Sequence, residues 1–191
     1  MMRPWHAAPI ALLALRALNA AAAGPPPLVD SPTSLYQLHA PLVAQDGRAI
    51  DLDVYRGKPV LVTMFYAGCQ ATCPMIIDTL RSVERKLEPG QQKNLRVLLV
   101  SIDPEHDTAE ALAATAKERG LDTTRWTLAR TDAANVRRIA AALGLQYRQL
   151  PDGQFSHSTQ ISVLDAGGEI LAQSDKLGTA DEKLVTALRA R

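Results

Sequence analysis

The 191-residue chain contains two cysteines, Cys69 and Cys73, separated by only three residues. A thiolate attacks disulfides and also binds soft metal ions. In a chain large enough to build its own core, one close pair of cysteines is more typical of a redox or metal site than of a disulfide scaffold. An inert stabilising disulfide is disfavoured, because so short a loop constrains the unfolded chain little.

The cysteine pair follows a predicted strand and precedes a predicted helix. The run Val60–Phe65 is apolar and β-prone, as in a strand buried on both faces, and Gly68 then supplies a turn. Pro74 favours the first helical position, which places Cys73 at the helix cap. A helix N-terminus lowers the pKa of a nearby thiol, which suits redox chemistry and metal binding alike. A spacer of three residues, one more than in the ordinary thioredoxin pair, favours a clamp around an ion.

A third ligand is sought among the histidines. His39 and His106 are expected at the surface, although the loop of His106 could flank the site. His157 directly precedes a predicted strand, and in a thioredoxin-like topology the loop entering that strand lies beside the cysteine corner. From spacing alone, a histidine that is capped or packed in the core fits this position as well as a ligand does. Two thiolates and one imidazole would suit copper, whereas zinc normally takes a fourth ligand.

Hydrophobic periodicity and turn residues predict alternating strands and helices. Strands are predicted at residues 35–38, 41–43, 50–52, 60–65, 95–102, 126–129, 160–164 and 169–173, and helices at 75–87, 109–119, 132–143 and 181–189. Glu88-Pro89-Gly90 is interpreted as the end of the first helix. This order predicts an α/β protein with a thioredoxin-like fold: a mixed central sheet, helices on both faces and an N-terminal β-hairpin extension.

The N-terminal segment differs from the rest of the chain. Residues 1–23 combine an early arginine, an apolar run and a group of small residues, which predicts a secretory signal, either cleaved or kept as an anchor. Residues 24–34 form a Pro-rich linker, and residues 35–191 form the domain. The net charge of +1 indicates neither a nucleic-acid footprint nor a polybasic membrane patch, and the 4% aromatic content argues against a stacking surface for single strands.

Three motifs occur in an order that resembles the Sco/SenC family of copper-binding thioredoxin-like proteins. They are Cys-x-x-x-Cys-Pro at residues 69–74, Asp-Pro-x-x-Asp-Thr at 103–108 and His-Ser at 157–158. Gly57-Lys58-Pro59 and Phe65-Tyr66 also match. The resemblance extends from about Leu35 to the C-terminus.

This resemblance implies that Cys69, Cys73 and His157 bind copper, as Cu(I) or Cu(II). It also implies export to the periplasm or anchoring to the inner membrane, with an oxidase subunit as the partner that receives copper. Two positions depart from the family pattern. Gln70 stands where proline usually follows the first cysteine, and Ser156 stands where an acidic residue often precedes the histidine and would orient its imidazole.

Two functions therefore remain open. The first is a metallochaperone, not an enzyme with turnover, that delivers copper to a cytochrome oxidase subunit and exchanges copper with another chaperone. The second is a thiol-disulfide oxidoreductase that reduces the cysteines of the oxidase copper site and is itself supplied by a thiol reductant. Cys69 attacks and Cys73 resolves, and His157 tunes a thiolate and binds no metal. A peroxidase is a weaker alternative, because Thr63 lies too far upstream to form a Thr-x-x-Cys motif.

Overall fold

The computed structural model describes residues 31–190. The predicted signal at residues 1–23 and most of the linker at 24–34 lie outside the described residues. The part of the chain that the structure describes contains nine strands: β1 (Pro41–Ala44), β2 (Ala49–Asp51), β3 (Val60–Phe65), β4 (Arg96–Ser101), β5 (Trp126–Arg130), β6 (Tyr147–Gln149), β7 (Phe155–His157), β8 (Ile161–Leu164) and β9 (Ile170–Ser174). Five α-helices accompany them: α1 (Thr72–Arg85), α2 (Pro89–Asn94), α3 (Ala109–Glu118), α4 (Ala133–Leu143) and α5 (Glu182–Arg189).

Seven of the strands form one mixed sheet in the order β2-β1-β5-β4-β3-β8-β9. The three central strands β3, β4 and β5 are parallel, and β1 and β8 pair with them in the antiparallel sense. All six residues of β3 are buried. Because successive side chains in a strand point to opposite faces, both faces of the sheet are covered at its centre. The mixed α/β architecture with an N-terminal hairpin, β1–β2, is confirmed.

Local capping explains where two of the helices begin and end. The Asp132 side chain accepts a hydrogen bond from the backbone N–H of Asn135 at the start of α4, and Gly144 ends that helix in the left-handed conformation. Thr108 caps α3 in the same way through the N–H of Ala111. These polar caps were visible in the sequence, and the helices begin within one or two residues of the predicted positions.

Two predicted features are wrong. Residues Leu35–Leu38 form a 3-10 helix instead of a strand, because the Ser34 hydroxyl caps the segment by accepting from the N–H of Tyr36. Glu88-Pro89-Gly90 does not simply end a helix but starts α2. Glu88 and Gln91 form a reciprocal capping box, and Pro89 occupies the first helical position, where its missing N–H costs nothing.

A separate two-stranded ribbon, β6–β7, lies outside the main sheet. Its register pairs Tyr147 with His157 and Gln149 with Phe155. The ribbon brings His157 into the segment that precedes β8, next to the end of β3. Among residues 31–190, no helix is both long enough and apolar enough to cross a membrane.

The start of the described chain is fastened to the β8–β9 turn. The Ser34 hydroxyl donates to the carbonyl of Gly167 at 2.6 Å, and the N–H of Leu35 donates to the carbonyl of Gly168 at 2.9 Å. Gly168 has a φ of +85°, and a Cβ atom placed there would come within 2.6 Å of Ser34 Oγ and of the Tyr36 ring. Glycine is therefore required at this position both for its backbone conformation and for space.

We expect Gly168→Ala to destabilise the protein more than Gly47→Ala does. Gly47 has a similar φ of +82° but open space around its Cα, so both variants share the conformational cost and only the first adds a clash. Overpacking of this kind costs about 1–3 kcal/mol, and that is the expected difference in the free energy of unfolding in urea. Equal losses for the two variants would contradict this account.

Candidate metal centre

Two thiols and one imidazole meet at the C-terminal end of β3. The sulfur atoms of Cys69 and Cys73 and a ring nitrogen of His157 all lie within 4.8 Å of one another. The Sγ of Cys73 is 3.9 Å from Nε2 of His157. Both cysteines are buried and free of a disulfide, and His157 is half-buried. The three residues singled out in the sequence are thus neighbours in space.

The separations suit one shared ion. With metal–ligand bonds of about 2.0–2.3 Å, three ligand atoms arranged around an ion in a plane are about 3.5–4 Å apart. The observed atoms already lie near that spacing, and a contraction of less than about 1 Å would complete the arrangement. Among residues 31–190, no carboxylate or further histidine belongs to this group.

The Cys69 sulfur accepts a hydrogen bond from one of the N–H groups at the start of α1 that have no partner within the helix. The N–H of Cys73 donates to Cys69 Sγ at 3.2 Å. Helix α1 begins at Thr72, so Cys73 is its second residue and not its cap, and Pro74 is its third. The predicted helix start was therefore two residues late. Proline is tolerated there because the first four N–H groups of a helix have no partner within the helix.

The imidazole of His157 is oriented by a backbone carbonyl. Its Nδ1 lies 3.0 Å from the carbonyl oxygen of Ser158. A carbonyl only accepts hydrogen bonds, so this contact places the proton on Nδ1 and leaves the Nε2 lone pair directed at the cysteines. Ser156, which stands where an acid was expected, is exposed on the strand.

Aromatic rings form one wall of the site. The ring of Tyr66 contacts Phe155 edge-on at a centroid distance of 5.4 Å and His157 at 6.2 Å. The N–H of Phe155 also donates to the Tyr66 hydroxyl at 3.4 Å. These contacts hold the β6–β7 ribbon against the end of β3.

A buried carboxylate fixes the loop that carries Cys69. Oδ2 of Asp107 accepts from the N–H of Ala67 at 3.0 Å and from the hydroxyl of Ser101 at 2.5 Å. Asp107 belongs to the Asp-Pro-x-x-Asp-Thr motif, which by itself indicated no role for this residue. The available signal was the buried strand ending in Ser101, followed by a short acidic loop.

The other two histidines in the described residues do not join the cluster. Nδ1 of His106 lies 2.9 Å from Asp103, and the His106 side chain is 68% exposed. His39 follows the first 3-10 helix with a left-handed φ of 44°. His106 therefore lies in the loop after β4 without reaching the thiols.

The two thiols differ in acidity. Burial alone would raise the pKa of Cys69, but the hydrogen bond from the Cys73 thiol and bonds from the N–H groups of Cys73, Ala71 and Thr72 bring it below its ordinary value. Burial raises the pKa of Cys73 strongly, against the effect of a backbone hydrogen bond from Tyr66, and interaction with Cys69 raises it further. Cys69 is thus the more acidic of the two thiols.

A family model described as SCO1/SenC matches residues 32–190. The chain belongs to the SCO1/SenC family. The SCO1 protein homolog of Bacillus subtilis (strain 168) is 26% identical over 82 residues, which are 43% of this chain and 42% of that relative. The match therefore spans less than half of the relative's length.

Solved structures share the fold of this SCO1/SenC chain. A protein of Aquifex aeolicus VF5 superposes with a TM-score of 0.72 and 24% identity, over 83% of this chain and 93% of that one. Arabidopsis thaliana ScoI, solved with copper bound, gives a TM-score of 0.70 and 17% identity, over 80% of this chain and 97% of that one. The thioredoxin-like fold expected from the sequence is confirmed.

We expect iodoacetamide to alkylate Cys69 before Cys73 in the reduced, metal-free protein. Because the pKa of Cys69 is lowered and that of Cys73 raised, the rates at neutral pH should differ by more than about tenfold. The pH at which the Cys69 rate reaches half of its maximum should be lower in the folded protein than in the urea-unfolded chain, because the pKa of Cys69 is lowered. Peptide mass spectrometry measures both rates, and the urea-unfolded chain, in which they should be similar, is the control. Similar rates in the folded protein would contradict the assignment.

Proposed function

We propose that this protein binds copper through Cys69, Cys73 and His157 and delivers it to a cytochrome oxidase subunit. The observation that carries the proposal is the convergence of two thiols and an imidazole nitrogen within 4.8 Å at the end of β3. Membership of the SCO1/SenC family and the copper bound to Arabidopsis ScoI support the choice of metal.

The donor set favours copper on chemical grounds. Thiolates are soft ligands that select Cu(I), and imidazole binds either oxidation state of copper. Zinc would take a fourth ligand, and among residues 31–190 no further His, Cys, Asp or Glu joins the group. The Nδ1–carbonyl contact of His157 leaves Nε2 as the ring nitrogen that faces the thiols and would bind the metal.

Delivery requires that a client reach the ion. His157 is half-buried, whereas both cysteines are buried, so an incoming ligand approaches from the histidine side. A client thiolate or imidazole would replace His157 first and the sulfurs afterwards. The protein then acts by ligand exchange and has no catalytic turnover.

The setting we propose follows from the sequence. Residues 1–23 serve as an export signal or inner-membrane anchor, residues 24–34 as a linker, and residues 35–191 as the copper-binding domain in the periplasm. Besides the oxidase subunit, the partners are a second copper chaperone or a thiol reductant that keeps the cysteines reduced.

We expect one Cu(I) ion to bind per reduced chain, and His157→Ala to weaken binding by more than about tenfold. Competition against a chromophoric Cu(I) chelator under anaerobic conditions measures the affinity. His106→Ala is the matched control, because His106 is an exposed imidazole that pairs with Asp103 outside the cluster. Parental affinity in His157→Ala would refute the proposed ligand set.

A second function, thiol-disulfide exchange, is favoured by the unequal acidity of the two thiols. The Cys69 thiolate would attack a client disulfide, form a mixed disulfide and release one client thiolate. Cys73, once deprotonated, would attack Cys69 Sγ, which releases the second client thiolate and leaves a Cys69–Cys73 disulfide. The pair supplies both electrons. No metal is needed for this sequence.

Substitution of His157 distinguishes copper binding from thiol-disulfide exchange. We expect His157→Ala still to be oxidised by glutathione disulfide, because the imidazole forms no bond in the exchange, while its Cu(I) binding is weakened by more than about tenfold. Mass spectrometry of the Cys69–Cys73 disulfide measures the rate. A parent chain that exchanges rapidly but binds Cu(I) no more tightly than His157→Ala would establish the oxidoreductase and refute the chaperone.

A further inference from the structure

A basic pocket lies at the edge of the sheet opposite the metal centre. It has a volume of about 280 Å³, and it is lined by three cations, three threonines and a small apolar group: Arg48, Lys58, Arg96, Thr123, Thr124, Thr127, Ile50, Val54 and Tyr55. Among the described residues, no acidic side chain lines this pocket. We call this feature the basic pocket.

The three cationic side chains of the basic pocket have N–H groups that can donate hydrogen bonds to a ligand. Arg48 uses its Nε to pair with Asp46, and Arg96 uses its Nη1 to donate to the carbonyls at residues 93–95. The other guanidinium nitrogens and the Lys58 ammonium supply further N–H donors, and Thr123 supplies a hydroxyl, whereas the Thr124 hydroxyl already donates to Asp122. Asp46 occupies one donor of Arg48 outside the lining, and the donors that remain on the three cations form a site for a phosphate-type oxyanion.

The basic pocket lies on the same side of the sheet as the start of the described chain. The N–H of Gly57, next to Lys58, donates to the carbonyl of Ala166 in the β8–β9 turn. The first described residues are fastened to the same turn through Ser34 and Gly167. The described chain therefore begins at the edge that carries the basic pocket.

The metal centre occupies the other edge. Lys58 and Arg96 precede or begin strands β3 and β4, whereas Cys69 follows the end of β3. Six residues of strand separate the two edges by about 20 Å. Val54, at the rim of the basic pocket, is 56% exposed, which adds an apolar side chain beside the cations.

We propose that the basic pocket binds the phosphate headgroup of an anionic phospholipid. The membrane surface then contacts the edge where the N-terminal segment enters, Val54 lies at the interface, and the metal centre is held away from the bilayer. This inference does not depend on which function the thiols serve. Each Lys or Arg near an anionic surface strengthens binding about fivefold, so the pocket adds substantially to the attachment by the apolar segment.

Vesicle cosedimentation of the full chain tests this proposal. The readout is the ratio of partition constants on phosphatidylcholine vesicles with and without about one-third phosphatidylglycerol. The apolar N-terminal segment contributes to both constants and largely cancels in the ratio. Arg48→Gln/Lys58→Gln should reduce the ratio by about tenfold or more. The control Arg148→Gln/Lys183→Gln removes the same charge from exposed residues away from the basic pocket and should leave the ratio nearly unchanged.

Two results would overturn the proposal: a parental ratio near one, or equal losses in the two double variants. Acetylation footprinting of the unmutated chain gives an independent measurement, in which the anionic vesicles should protect Lys58 and not Lys183. Inorganic phosphate distinguishes the source of the ligand. If millimolar phosphate saturates the basic pocket while anionic vesicles leave Lys58 unprotected, the ligand is a soluble phosphate and the membrane assignment is wrong.

Discussion

The buried carboxylate of Asp107 ties together the two loops on which the metal centre depends. It accepts from Ala67, in the loop after β3, and from Ser101, at the end of β4. Burial raises the pKa of Asp107, while hydrogen bonds from the Ser101 hydroxyl and the Ala67 N–H act in the opposite direction. A carboxylate is expensive to bury without such partners. We interpret the buried Asp107 carboxylate as the group that keeps the ends of β3 and β4 at a fixed distance from each other.

The Asp107 hydrogen bonds also determine how the loop that carries the two thiols is positioned. They fix the start of the loop from Ala67 to Cys73, and that loop must fold back for the Cys69 sulfur to accept the N–H of Cys73. Hydrogen bonds to the Cys69 sulfur lower the pKa of Cys69, and burial raises that of Cys73. Ready deprotonation of one thiol favours both metal binding and disulfide attack. The imidazole opposite the thiols is what distinguishes a copper site from a simple redox pair.

The sequence predicted the structure best at positions where the local backbone favours a particular type of residue. The apolar run of β3, the caps Asp132 and Thr108 and the turn after Leu164 all signalled their structures locally. The prediction of a strand at residues 35–38 was wrong, because the hydroxyl of one residue, Ser34, caps this segment and favours a 3-10 helix. The start of α2 was missed because Pro-Gly indicates a helix end or a helix start equally well until the capping box is recognised. Topology placed His157 near the thiols, but no sequence pattern specified the contact between Asp107 and Ala67.

The departures from the family pattern acquire a physical meaning in the structure. Ser156 neighbours His157 along β7, so its side chain points to the opposite face of the ribbon, and the imidazole takes its partner from the carbonyl of Ser158 instead. A neutral carbonyl withdraws the Nδ1 proton less strongly than a carboxylate, so Nε2 is a weaker donor here than a carboxylate-paired imidazole would be. If the protein delivers copper as proposed, a weaker bond from the half-buried imidazole would ease its replacement by a client while the buried thiolates retain the ion. In that delivery the sulfurs would supply most of the affinity, and the histidine would be the ligand that is exchanged first.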